Sequence, residues 1–327
     1  MTLVLTKSDV HRLLDIDACT GAVEKAFLAQ AAGRALKSGV LGTHVDGGGF
    51  HIKTSGLNCG RSYFAAKINA NFPRNRALNG LPTIQGVISL HDASNGGLLA
   101  LLDSVEITTL RTAAATAIAA KHLARRDSSV VTIIGCGVQG RSQLLALSRV
   151  CSLEQVFAYD VDTHLAHDYA DEMSGVVGCA VQVVDDYRIS AQESDIIVTC
   201  TPAHSPVLSI SDVRPGTFVS AVGADREDKQ EIEPALLASS KVVVDVMEQC
   251  ATIGELHHAI DDGLMNREDV HAELGDIVSG RRAARENATE IIIFDSTGTA
   301  LEDVAAASLV YERALAARAG LKVSLNS

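Results

Sequence analysis

Two kinds of hydrophobic periodicity divide this chain. Residues 8–36 carry apolar side chains at helical spacing, Val10, Leu13 and Leu14 and then Ala22, Val23, Ala26 and Phe27, which predicts one or two helices. Residues 63–69 and 83–91 are short, rich in aromatic and β-branched residues and bounded by Gly, Asn and Pro, so they read as strands. Gly96-Gly97, after Asp92-Ala93-Ser94-Asn95, reads as a hairpin turn into a further strand at 98–103. The stretch 106–124 is rich in Ala, Leu and Thr with neither Gly nor Pro, and predicts a long helix that carries the chain into a second domain.

From residue 129 onward, strand-like segments at 130–134, 155–160, 181–184, 195–201, 217–223, 241–246 and 291–294 alternate with helical ones. That order predicts an α/β fold with a doubly wound parallel sheet. Runs such as Ile196-Ile197-Val198 and Val242-Val243-Val244 are apolar throughout, as strands covered by helices on both faces must be. Residues 302–320 form another Ala-rich helical stretch after the final strand, placed to return to the first domain.

Composition narrows the function. With 47% apolar and 21% charged residues, the 327-residue chain has ordinary globular proportions, and its length suits two domains. Against 40 acidic residues stand 28 basic ones, a net charge of -12 with no basic cluster, so nucleic acid is excluded as a partner. Aromatic residues make up 4% and Trp is absent, which argues against a base-stacking surface. No apolar run reaches the roughly 18 to 20 residues of a membrane span, and the start of the chain lacks a signal-peptide pattern, so a cytoplasmic protein without membrane contact is expected. The seven cysteines, Cys19, Cys59, Cys136, Cys151, Cys179, Cys200 and Cys250, are scattered and never spaced Cys-x-x-Cys. They read as small buried apolar residues. No metal is expected: His257 and His258 are adjacent, and His164 and His167 stand three apart near Asp168 on a solvated helix face.

The cofactor signal is specific. Gly135-Cys136-Gly137-Val138-Gln139-Gly140 follows the apolar strand 130–134 and opens a helical stretch at 142–150. The first glycine permits the tight turn, the second lets a pyrophosphate approach the backbone, and the third allows helix and strand to pack closely. Twenty residues past Gly140, Asp160 ends the next strand. Its carboxylate suits the adenosine ribose hydroxyls and repels a 2′-phosphate, which favours NAD over NADP, with NADPH as the alternative; the plainer reading is a solvated loop carboxylate. Arg141 is placed either to touch the pyrophosphate or to lie on the surface.

This motif, preceded by Leu110-Arg111-Thr112-Ala113-Ala114-Ala115 and followed by Val222-Gly223-Ala224-Asp225 with Lys229-Gln230-Glu231, resembles the ornithine cyclodeaminase/μ-crystallin family over nearly the whole chain. That family includes ornithine and lysine cyclodeaminases, archaeal alanine dehydrogenases and reductases of cyclic imines. The resemblance implies a homodimer, with a smaller mixed α/β substrate and dimerisation domain at 1–115 and 303–327 and a Rossmann domain at 116–302. It points to Lys67, Arg111 and Asp225 as site residues, with Thr112 beside the cofactor.

The residue types agree with those roles. Lys67 lies in an apolar strand, suited to a substrate carboxylate or to polarising a C=N or C=O group; otherwise it is a lysine on an open face. Arg111 carries a planar fork that matches an α-carboxylate, or forms an internal salt bridge. Asp225 follows a strand, where sites of parallel sheets gather, and there moves a proton on the reacting nitrogen; the alternative is an N-cap for a helix at 231–237. Thr201-Pro202 and Ser296-Thr297-Gly298 follow other strands and are expected to line the nicotinamide pocket, or to be turns.

One departure matters. Where the cyclodeaminase pattern has a glutamate and then Met-Pro, this chain reads Phe50-His51-Ile52-Lys53-Thr54. Ornithine is thereby disfavoured, Lys53 adds a cation to Lys67 and Arg111, and His51 reads as a strand histidine. The expected activity is NAD(P)H-dependent reduction of a small imino acid, with Δ1-pyrroline-2-carboxylate, iminopyruvate and iminosuccinate as candidates in that order. The alternatives are an ornithine cyclodeaminase with bound NAD and a μ-crystallin-like binder of small ligands without catalysis.

Overall fold

The computed structural model describes residues 1–325, except for the side chain of Cys59. The chain opens with β1 (Thr2–Leu5), α1 (Lys7–Leu13) and α2 (Ile16–Ala31), continues through β2 (Gly39–Val45), β3 (Gly48–Cys59), β4 (Arg61–Asn71), α3 (Asn75–Asn79), β5 (Ile84–Asp92) and β6 (Leu98–Asp103), and enters the long α4 (Val105–Leu123). Then follow β7 (Val130–Ile134), α5 (Val138–Leu147), β8 (Gln155–Tyr159), α6 (Thr163–Val177), β9 (Val181–Val183), α7 (Tyr187–Glu193), β10 (Ile196–Thr199), β11 (His204–Leu208), β12 (Phe218–Ala221) and β13 (Gln230–Ile232). The remainder is α8 (Pro234–Ala238), β14 (Lys241–Val244), α9 (Met247–Ile253), α10 (Glu255–Asp261), β15 (Ala272–Glu273), α11 (Leu274–Val278), β16 (Ile292–Asp295), α12 (Ala300–Ala317) and β17 (Leu321–Val323).

Two compact units result, one of Met1–Arg111 with the segment from Thr299 onward, the other of Thr112–Gly298. The sequence reading put these boundaries four residues later, at 115/116 and 302/303. The observed divisions fall inside α4 and at the N-cap of α12, where an unbroken helical pattern carries no punctuation.

The first unit is built on a seven-stranded sheet in the order β17-β1-β6-β5-β4-β3-β2. Side chains alternate across a strand, and residues directly paired on neighbouring strands share a face. Val40, Lys53, Lys67, Ile88 and Leu102 pair in succession from β2 to β6 and form one inner row. The helix α12 packs on β3, β4 and β5, and α2 packs on α12 and β3. The next row, Leu41, Ile52, Ile68 and Val87, belongs to the opposite face, and three of its four members, Leu41, Ile68 and Val87, are exposed.

The second unit is a parallel eight-stranded sheet, order β15-β14-β16-β12-β10-β7-β8-β9, with a small parallel pair β11-β13 beside it. From β7 the chain winds outward through β8 and β9, then returns to place β10 on the other side of β7. That reversal opens the crevice at the carboxyl ends of β7 and β10 in which such sheets bind ligands. Two local expectations are corrected. Helix α5 begins at Val138 rather than at 142, because Gly137 is its N-cap and the glycine motif itself supplies the first turn. The helix expected at 231–237 begins only at Pro234: Gln230–Ile232 is the strand β13, and α8 starts with Glu233 as its cap.

Among the described cysteines, Cys19, Cys136 and Cys250 are buried as expected, but Cys151, Cys179 and Cys200 are only half-buried. The expectation for Cys59 lies outside the described residues. No helix among the described residues is long and apolar enough to cross a membrane.

Candidate active site

In the first unit, three cations expected from sequence lie together. Lys53 and Lys67 face one another across β3 and β4 on the inner row, and each is less than a tenth exposed. Burying a charge costs several kcal/mol unless it is paired, so the partners are decisive. The Lys67 ammonium donates to Asp303 at 2.6 Å between Nζ and Oδ2. Arg111, buried on α4, reaches Glu302 at 2.8 Å through Nη1 and Asp303 at 3.1 Å through Nε. The arginine thus does make an internal salt bridge, and the reading of Lys67 as an open-face lysine is excluded by its burial.

Glu302 and Asp303 are available there because they occupy the first turn of α12, whose positive end favours carboxylates. Glu302 also completes a capping box with Thr299. Burial pushes the Lys67 ammonium down to about 8; Asp303 opposes that shift, while Arg111 and Lys53 add to it. Burial alone would raise Asp303, but Lys67 and Arg111 outweigh it and hold the carboxyl below its ordinary range. A lysine near its titration midpoint at neutral to slightly alkaline pH can hold an anion or exchange a proton.

In the second unit the glycine motif has the shape a dinucleotide requires. Gly135 has a φ of +107°, and a Cβ there would stand 2.9 Å from the Cys200 carbonyl oxygen on the neighbouring loop. A Cβ on Gly140 would stand 2.2 Å from the Gly135 carbonyl oxygen, so helix and turn touch backbone to backbone. Gly137, in contrast, faces open space and caps α5 without any side-chain hydrogen bond. The first N–H groups of the ten-residue α5 are therefore presented to a phosphate, beside Val138 and Gln139. Asp160 follows β8 and accepts from the Cys136 N–H at 2.8 Å and the Asp162 N–H at 3.0 Å, which orients its carboxylate beside the turn. Arg141 donates to Glu172 at 2.7 Å and to the Cys136 and Gly137 carbonyls, and its guanidinium lies over the Tyr169 ring. It fastens the motif from behind.

Other expected residues gather at the carboxyl edge of the same sheet. Thr201 and Pro202 follow β10, and Ser296 and Gly298 follow β16. Ser296 is buried, with its hydroxyl unpartnered among the described residues, while the Gly298 N–H donates to Asp245 at 2.7 Å. Thr112 is buried on α4. Asp225 follows β12 on an exposed loop and pairs with Lys229 at 2.7 Å. It caps no helix, since none begins nearby.

Glu231, which the sequence places only in Lys229-Gln230-Glu231 and at the start of the expected helix at 231–237, has a structural role of its own. It is fully buried and receives four hydrogen bonds from the loops after β10 and β12. No pattern in the polar run from Asp225 to Glu233 sets it apart in the sequence.

A model of the Ornithine cyclodeaminase/mu-crystallin family matches residues 1–318. The alanine dehydrogenase of Archaeoglobus fulgidus is 39% identical to this chain over 324 residues, 98% of either sequence. Among solved structures, an archaeal alanine dehydrogenase dimer with bound NAD superposes with a TM-score of 0.94 at 38% identity, over 99% of each chain. The Δ1-pyrroline-2-carboxylate reductase of Thermococcus litoralis, in complex with NADH and L-proline, gives a TM-score of 0.93 at 34% identity, over 98% of this chain and 100% of its own.

Proposed function

Since the chain belongs to the ornithine cyclodeaminase/mu-crystallin family, we propose that it is an NAD-dependent oxidoreductase that reduces the C=N bond of a small imino acid carrying a single carboxylate. Δ1-Pyrroline-2-carboxylate is the first candidate, and the imine of pyruvate the second. The observation that carries this reading is the charge count of the buried cluster. Lys53, Lys67 and Arg111 stand against Glu302 and Asp303, a surplus of one positive charge among these five buried side chains. One substrate carboxylate neutralises that surplus. A second, as in iminosuccinate, leaves a buried negative charge uncompensated.

In this mechanism the planar fork of Arg111 and the Lys53 ammonium hold the carboxylate. Lys67 polarises the C=N bond. Held at Gly137, the start of α5 and Asp160, NADH would supply the hydride for the imine carbon. Asp225 exchanges the proton on nitrogen, and its carboxylate is placed by the contact with Lys229. The open Gly137, the uncapped start of α5 and the oriented Asp160 support NAD as the dinucleotide. Ornithine fits poorly. Its second ammonium would join three buried cations, while Glu302 and Asp303 are already engaged by Arg111 and Lys67.

A homodimer is part of the same proposal. The exposed apolar side chains Leu41, Phe50, Ile68 and Val87, on one face of adjacent strands, suit a second copy of this sheet. The test is consumption of NADH, and separately NADPH, with Δ1-pyrroline-2-carboxylate, pyruvate plus ammonium, and oxaloacetate plus ammonium, beside ornithine plus NAD with ammonia detected. Turnover of the first or second with NADH is expected. Ammonia from ornithine without net cofactor change would overturn the proposal.

A further inference from the structure

Glu231 ties together the loops at the carboxyl ends of two adjacent strands. Its Oε1 accepts from the Thr201 N–H at 2.6 Å and the Thr201 hydroxyl at 2.8 Å. Its Oε2 accepts from the Thr199 hydroxyl at 2.8 Å and the Gly223 N–H at 2.7 Å. The fit is close: a Cβ at Gly223 would stand 2.4 Å from the Glu231 carboxyl carbon, so only glycine lets the carboxylate reach the backbone. Glu231 is itself anchored, because its own N–H and that of Ile232 donate to Glu255, a second buried carboxylate, at 2.8 and 3.0 Å. From Gly223 the order passes to Asp225, whose N–H donates to the Gly223 carbonyl at 3.1 Å. At the far end of this loop, His258 is 2.8 Å from the Lys229 carbonyl, and Lys229 pairs with Asp225.

A buried carboxylate whose oxygens are satisfied by four donors rigidifies the backbone that supplies them. We propose that Glu231 is a positioning residue that fixes the backbone presenting Thr201 and Asp225 to the reacting end of the dinucleotide. It touches neither substrate nor cofactor. The inference rests on the proposed function above, in which Asp225 exchanges the proton and Thr201 lines the nicotinamide pocket.

Glu231→Gln tests it with almost no change in shape. An amide has one oxygen, so whichever way it turns, its NH2 group opposes the backbone N–H of either Thr201 or Gly223. The anchoring of the adenosine half, through Gly137 and Asp160, uses none of the groups that Glu231 hydrogen-bonds. The expected result is an NADH dissociation constant within about threefold of the parent and a KM for the imine within the same range. kcat falls about 10- to 100-fold, and the isotope effect with NADH deuterated at the transferred position rises as hydride transfer becomes limiting. The emission of bound NADH also moves toward its free-solution spectrum, a readout that needs no turnover.

An unchanged kcat together with unchanged bound-NADH emission would overturn the inference. Where Glu231→Gln fails to fold, Thr199→Val and Thr201→Val each remove one hydroxyl donor, and the same two readouts apply: smaller changes in the same direction support the role, and parental values refute it. A parent protein that binds NADH but reduces none of the imines defeats the proposed substrate class while the emission readout still decides Glu231. A parent that binds no NADH defeats both.

Discussion

Replacing Lys53 by methionine, which keeps the length of the side chain and removes its charge, reads the cluster from two sides at once. Lys53 and Lys67 are directly paired across β3 and β4, and such pairs hold their Cβ atoms about 5 Å apart. At an effective dielectric constant of about 20, two unit charges about 6 Å apart repel by roughly 3 kcal/mol. Flexible side chains and neighbouring carboxylates reduce this, so removing Lys53 should raise the pKa of Lys67 by about one unit from its value of about 8. If the charged form of Lys67 is required, kcat/KM for the parent falls as pH rises through about 8, and in Lys53→Met that limb moves to about 9. The substrate loses one charge-assisted hydrogen bond, so kcat/KM below the limb falls about 10- to 100-fold, mainly through KM. NADH affinity is unchanged. The assay is kcat/KM for Δ1-pyrroline-2-carboxylate across the pH range, with NADH binding followed by fluorescence. An alkaline limb that stays at the parent position, with KM within about threefold of the parent, would refute the placement of Lys53 beside both Lys67 and the substrate.

Asp303→Asn leaves the buried Lys67 ammonium without its carboxylate, and should cost about 3 kcal/mol, seen as a lower melting temperature; the double variant Lys67→Met, Asp303→Leu should recover much of that loss while remaining inactive. Asp160→Ala removes the carboxylate that repels a 2′-phosphate, so the ratio of NADH to NADPH affinity should fall at least about tenfold by fluorescence titration. Ile68→Asp places a charge in the exposed apolar face, and sedimentation should show a folded monomer where the parent is a dimer; an unchanged sedimentation coefficient rejects that face as the interface.

The second unit was more readable in the sequence than the first. Strands β7, β10, β12, β14 and β16 are central in a parallel sheet, so both faces are buried and each is short and mostly apolar. The predicted segments overran because Cys200-Thr201 and Val222-Gly223 remain apolar or small after leaving the ladder. In the first unit, β2 is exposed along its whole length and carries little burial signal. The outer pair β1 and β17 joins the two ends of the chain, a pairing that local pattern cannot announce.

The same contrast holds for chemistry. A glycine turn between strand and helix and the acid ending the next strand act within one strand–helix–strand unit, so spacing alone determined the dinucleotide motif, while the family resemblance, supported by residue type, marked Lys53, Lys67 and Arg111 as candidate anion binders. Only the tertiary structure decided what those cations meet. Strand pairing sets Lys53 opposite Lys67, and the first turn of α12 brings Glu302 and Asp303 from the far end of the chain, leaving one positive charge in surplus. Glu231 follows the same rule: its letter is one of many polar ones between Asp225 and Glu233, and its partners Thr199, Thr201 and Gly223 become neighbours only because β10 and β12 are adjacent in the sheet. Short-range geometry is written in local spacing, whereas the energy of a buried charge depends on groups that only folding brings within reach.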